Sequence, residues 1–148
     1  MLRSNLLFFH IASALALFAA LGMEMLALAH LRRATSGAPA RAALDDLGTA
    51  RRVGGPAMLL LIASGFWLAT AYWHWRGAWM RLGLLGLVLV GAVGALMTGR
   101  VVRRLRPLLE QPGFDAGLRD ADPALRWSFV IRTVLLAAVA YLMTVKPS

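Results

Sequence analysis

Four long apolar runs occupy most of this chain, and they fix its solvent before anything else. They are Asn5–Leu31, Pro56–Trp75, Leu82–Val102 and Trp127–Val145. A helix needs about 20 mostly apolar residues, at about 1.5 Å of rise each, to cross the hydrocarbon of a bilayer. Inside that hydrocarbon there is no water for backbone N–H and C=O groups, so a spanning segment must pair them internally, as a helix does. The expectation is therefore an all-α, up-down bundle of four transmembrane helices, at residues 5–31, 56–75, 82–102 and 127–145, forming one integral membrane domain over residues 1–148.

Composition supports lipid as the solvent. A chain with 59% hydrophobic residues and a mean hydropathy of +0.67 would need a core that 148 residues are too few to build in water. There is no cysteine, which excludes disulfides and thiolate metal sites. The formal charge of +9 would suit nucleic acid, but the arginines stand at the ends of the apolar runs, so the expected partners are the bilayer and its anionic lipids. Arg3 followed by Ala27-Leu28-Ala29 resembles a signal peptide with a cleavage site. The apolar stretch is far longer than the roughly 7–15 residues of a signal, so it reads as a retained first helix.

Arginine counts give a direction. The first connection holds Arg32, Arg33, Arg41, Arg51 and Arg52. The third, with its flanks, holds Arg100, Arg103, Arg104, Arg106, Arg119 and Arg126, whereas the opposite side has only Arg3, Arg76, Arg81 and Lys146. The positive-inside bias then predicts cytoplasmic first and third connections, both termini outside, and a multi-pass protein of a bacterial-type inner membrane. Trp67, Tyr72, Trp73, Trp75 and Trp79 crowd the outer end, where amphipathic rings suit the headgroup zone.

Local signals mark the ends of the helices. Gly54-Gly55-Pro56 reads as a break, with Pro56 opening helix two. The turn at Arg76-Gly77 is short enough to make helices two and three antiparallel neighbours. The two arginine-rich connections read as loops of about twenty residues, Ala40–Val53 with a weak helical pattern through Ala43, Leu44 and Leu47, and Arg106–Asp122 as irregular around Pro107, Pro112 and Gly113. Small residues at four-residue spacing, Ala12, Ala16 and Ala20 in helix one and Gly91, Ala95 and Gly99 in helix three, predict close helix contacts within the bundle or a homodimer face on helix three.

The polar residues inside the runs carry the functional signal. His10, Ser13 and Glu24 fall on one face of helix one with Leu6, Leu17 and Ala20. Charges in lipid face partners or cavities. Glu24 lies about 10 Å inside the end at Leu31, and Arg132 about 8 Å from Trp127, so the two share a depth on helices adjacent in an up-down bundle. They are expected to form an intramembrane ion pair. The competing reading has Arg132 snorkelling to the headgroups. At the other end, His10, His74 and Met143, with Met80 and Tyr141 nearby, offer imidazole and thioether ligands suited to haem iron or Cu(I). Structural roles compete with this: His74 sits among interfacial tryptophans, and methionines fill irregular gaps. No soluble-type catalytic motif is present.

The string Leu7-Phe8-Phe9-His10-Ile11-Ala12-Ser13-Ala14 resembles the opening of the CopD-like and HemJ-like small membrane proteins. Gly55-Pro56 leading to Ser64-Gly65-Phe66-Trp67, Trp79, and Val145-Lys146-Pro147 are similar too. The resemblance implies haem b at His10. The functional lysine of the HemJ type falls at Gly83 here, and a further histidine of its helix three is absent, so oxidase activity is not implied and the likeness is to the uncharacterised branch. The leading expectation is a non-enzymatic membrane protein holding haem or copper through His10. The alternatives are a scaffold subunit of a larger membrane complex and a proton or small-solute pathway along His10, Ser13 and Glu24.

Overall fold

The computed structural model describes residues 2–34, 36–75, 77–107 and 114–145, with the side chains of 114–122 set aside. Arg76, Pro112, Gly113 and Lys146, and the side chains of Arg119 and Asp122, thus lie outside the described residues. The described chain is helical throughout, with no strand. Helix α1 is Leu2–Arg33 and α2 is Gly37–Leu68, prolonged by a π-turn at Ala69–Trp73. Helix α3, Ala78–Val93, passes through a second π-turn, Gly94–Thr98, into α4, Gly99–Leu105. Helix α5 is Phe114–Val145. Four stretches are long and apolar enough to cross a membrane: Leu2–Arg33, Gly37–Trp73, Ala78–Leu105 and Pro123–Val145.

The helices overrun the boundaries expected from the apolar runs, most of all in α2. Gly54-Gly55-Pro56 does not break the chain, because α2 continues through Pro56 in its interior. The reason is tertiary. Proline removes one backbone hydrogen bond, but α2 packs more extensively against α1 than any other pair of elements packs together. At Gly54 the two helices come so close that a Cβ would stand 3.2 Å from the Cβ of Ala20. What reads as a first loop is thus the first turns of α2, and the link from α1 is only residues 34–36. Ala40, Ala43, Leu44, Leu47 and Ala50 recur at three- and four-residue intervals and are all buried. Likewise the stretch from Phe114, expected to be irregular, already belongs to α5, with Pro123 inside it.

Helix α1 pairs with α2 and α3 with α5, and thinner seams join α1 to α5 and α2 to α3. The Arg3 guanidinium lies 5.7 Å from the centre of the Tyr72 ring, and Met143 packs on Gly83. The N-terminal end of α1, the C-terminal end of α5 and the α2–α3 turn therefore share one end of the bundle, the tryptophan-rich end. Three apolar clusters are stacked along the axis. Trp79, Met80 and Ala69 fill the tryptophan-rich end. Leu17, Leu21, Leu61, Leu87, Leu136 and their neighbours fill the middle. Leu31, Leu44, Leu47, Leu105 and Leu125 fill the arginine-rich end. Between the charged end and the tryptophan-rich end the surface carries many exposed apolar side chains, Phe8, Phe18, Leu59, Leu85, Trp127 and Val134 among them, as a lipid-facing bundle requires.

Candidate functional site

At the tryptophan-rich end, two polar residues face each other across α1 and α2. His10 Nδ1 lies 3.0 Å from Ser64 Oγ. The Ser64 hydroxyl has one proton to give, and it stands 2.6 Å from the Leu60 carbonyl of its own helix. Ser64 therefore accepts from His10 Nδ1–H, which leaves Nε2 with its lone pair. The ring lies close over Gly65, where a Cβ would come within 3.0 Å of Cε1. A larger residue at 65 would push the imidazole away.

His10 lines a cavity of about 210 Å³ together with Met80, Met143, Trp73, Trp75 and Trp79. Its wall is shaped by the α2–α3 turn. His74 and Trp75 both adopt positive φ, 50° and 56°, a conformation that costs a residue with a side chain roughly 1–2 kcal/mol. Trp79 then folds back over Gly77, where a Cβ would collide with its indole. It meets Trp73 edge to face at 5.5 Å. Trp79 is thus a buried wall of the cavity and not part of an interfacial belt. Met143 reaches the cavity across Gly83, where a Cβ would stand 2.3 Å from its methyl group. The space over Gly83 is therefore filled by a thioether from α5.

Of the expected ligands, the fold brings His10 and Met143 to one cavity, and Met80 with them. It does not bring His74, which is exposed in the left-handed turn and is absent from the lining. No group of three His, Cys, Asp or Glu residues able to hold a metal occurs among the described residues. The cavity is smaller than the roughly 300–1,000 Å³ usual for a ligand pocket.

The second polar centre lies towards the arginine-rich end. Arg132 of α5 forms an ion pair with Glu24 of α1, both side chains nearly enclosed. Arg132 Nε also donates to the Ser128 carbonyl at 3.3 Å, and Nη2 reaches Thr98 Oγ1 at 3.5 Å. Thr98 and Ser128 share a hydroxyl bond of 2.9 Å. The guanidinium therefore stays in the bundle and does not snorkel. Sequence spacing misses Thr98 and Ser128, although Ser128 stands four residues before Arg132 and so on the same face. Ser13 is buried on the same face of α1 as His10 and Glu24. Between His10 and Glu24 the central cluster presents apolar side chains, Leu17, Leu21, Leu61, Leu87 and Val90 among them.

Comparison with protein-family models, with curated proteins and with solved structures finds no match to this chain.

Proposed function

We propose that this chain is a small membrane protein that holds a single Cu(I) ion in the cavity at its tryptophan-rich end. The observation that supports this is the meeting of one imidazole and two thioethers, His10, Met80 and Met143, on one small apolar cavity. Imidazole nitrogen and thioether sulfur are ligands for Cu(I). The lining has no carboxylate to offset a second positive charge, and an uncompensated charge in an apolar space is costly. A monovalent soft ion is therefore preferred to Zn²⁺ or Cu²⁺. The Ser64 hydroxyl orients the imidazole through Nδ1, the same device by which metal-bound histidines are usually held. Gly65 lets the ring lie close to α2, and Gly83 admits Met143 from α5. By this reading the arginine-rich end faces the cytoplasm of a bacterial-type inner membrane among anionic lipids, and the copper end faces outward.

The test is Cu(I) retention by purified protein against a chromophoric Cu(I) chelator. One ion per chain is expected, with an X-ray absorption shell of one nitrogen and two sulfurs. His10→Ala and Met143→Leu should each lower retention by at least about tenfold, the effect of about 1.4 kcal/mol of binding energy. Equal retention by both variants, or a shell without sulfur, would overturn the reading.

A further inference from the structure

Beside the ion pair lies a second and larger cavity, of about 490 Å³, separate from the His10 site. We propose that it binds an amphiphile with one oxyanion on an acyl chain, the oxyanion held by Arg132 and Arg51.

The cation is already in place and partly free. Arg132 is 8% exposed. Its Nε and Nη2 are engaged with Ser128, Glu24 and Thr98, while Nη1 makes no hydrogen bond among the described residues. Nη1 lies against Gly94, 3.2 Å from where a Cβ would be, and Arg132 and Gly94 both line the cavity. Arg132 lines the cavity, so a guanidinium N–H that faces this space can donate to an occupant. Arg51, from α2, lines the same cavity and lies over Gly99, 3.1 Å from its Cβ position. Gly94 and Gly99 stand one π-turn apart, the Gly99 N–H donating to the Gly94 carbonyl, so the two guanidinium groups lean on the same side of one continuous helix. Glu24 offsets one of the two positive charges, which leaves one for an occupant. A singly charged carboxylate or phosphate diester balances it.

The remaining lining excludes a small inorganic anion as the intended occupant. Leu17, Leu21, Met58, Leu59 and Val90 make the rest of the space apolar. Gly55, Leu59 and Ala95 are lining residues that are also exposed, so the cavity opens sideways between α2 and α3, along the thinner of their seams. The π-turn Gly94–Thr98 lies at that opening. A π-turn holds one residue more than an α-turn and is often found at functional sites. An acyl chain can enter from lipid by this route and leave its charged head at Arg132.

The probes are oleate, methyl oleate, phosphatidylglycerol and phosphatidylcholine, added to purified protein in a neutral maltoside detergent. Native mass spectrometry counts bound molecules, and thermal unfolding reports binding as a raised midpoint. One oleate or phosphatidylglycerol per chain is expected, with no comparable uptake of methyl oleate or phosphatidylcholine. Oleate alone identifies a free fatty acid, phosphatidylglycerol alone identifies a lipid headgroup, and both identify the shared oxyanion. Gly91→Leu fills the cavity, since its Cβ position has only the Met58 methyl group within reach, at 3.9 Å. It should abolish binding and leave the unliganded midpoint little changed. Arg51→Gln removes a charge at the rim and should weaken binding by about tenfold. If Gly91→Leu fails to fold, Arg51→Gln and the neutral ester decide. Equal binding of methyl oleate and oleate, unchanged binding in both variants, or no uptake of either anion would each overturn the proposal.

Discussion

Gly83 and Gly86 lie one turn apart on the face of α3 that meets α5, and each yields to a different neighbour. At Gly86 a Cβ would stand 2.5 Å from Val139 Cγ2, and at Gly83 2.3 Å from the Met143 methyl. Valine is held to one rotamer in a helix, whereas methionine can swing its thioether aside. Gly86→Ala should therefore cost about 1–3 kcal/mol of stability through overpacking. Gly83→Ala should cost less, yet lower Cu(I) retention because Met143 is displaced. Thermal midpoints with copper titration check both halves; a larger stability loss at Gly83 would refute this account of the interface. The same scale shows what single residues disclose beforehand. Glu24 and Arg132 were legible as partners because charge in lipid demands compensation and helical rise fixes depth. Thr98 and Ser128 were not, since a hydroxyl in an apolar helix can satisfy itself on a carbonyl one turn back, as Thr133 does at Phe129 and Thr144 at Ala140. Nothing in the spacing distinguishes a hydroxyl with a distant partner from one without.

At the level of elements, local punctuation was the weaker guide. Gly54-Gly55-Pro56 carries every sign of a break, and the chain overrides it because the missing side chain at Gly54 lets α1 approach. The weak pattern of Ala43, Leu44 and Leu47 was the better signal, for those residues are nearly fully buried. The two π-turns leave no mark in composition, because a helix that accommodates one extra residue keeps the same residue types. Their effect on register can be tested. Gly94–Thr98 holds one residue more than an α-turn, so deleting Ala95 should restore a regular helix and leave α3 and α4 facing their present partners. Deleting Val88, within the α-helical part, should instead turn everything beyond it by about 100°. That would carry Thr98 off Ser128 and Leu105 out of its cluster. The expected outcome is a folded, monodisperse protein for the first deletion and aggregation for the second, read by size exclusion in detergent. Equal damage from both would mean the π-turn is not an inserted residue in an otherwise regular helix.

The whole molecule is longer than a bilayer is thick, and the excess has a definite place. Thirty-two residues of α1 span about 48 Å, against about 30 Å of hydrocarbon. If the tryptophan-rich end meets one interface, the other end must protrude. It is built to do so: Leu44, Leu47, Leu105 and Leu125 close a compact cluster there, and an exposed ion pair, Arg106 with Asp45 at 3.0 Å, sits on its surface. A surface pair of this kind contributes little stability and no net charge, and the surrounding arginines supply the charge that topology responds to. The arginine asymmetry was legible in the sequence. The protruding core was not, because its residues read as a loop until α2 was seen to begin at Gly37. The orientation proposed from this charge can be measured directly, since the chain has no cysteine of its own. Ala38 lies at the start of α2 on the arginine-rich end, and Ala78 opens α3 at the tryptophan-rich end; both are exposed. Single variants Ala38→Cys and Ala78→Cys, expressed in bacterial spheroplasts, should divide cleanly on treatment with a membrane-impermeant maleimide. Ala78→Cys should label in intact spheroplasts, and Ala38→Cys only after lysis. The reverse pattern would put the His10 cavity on the cytoplasmic side. It would also mean that the arginines of the protruding core act on a partner or a lipid surface outside and do not hold the orientation proposed here.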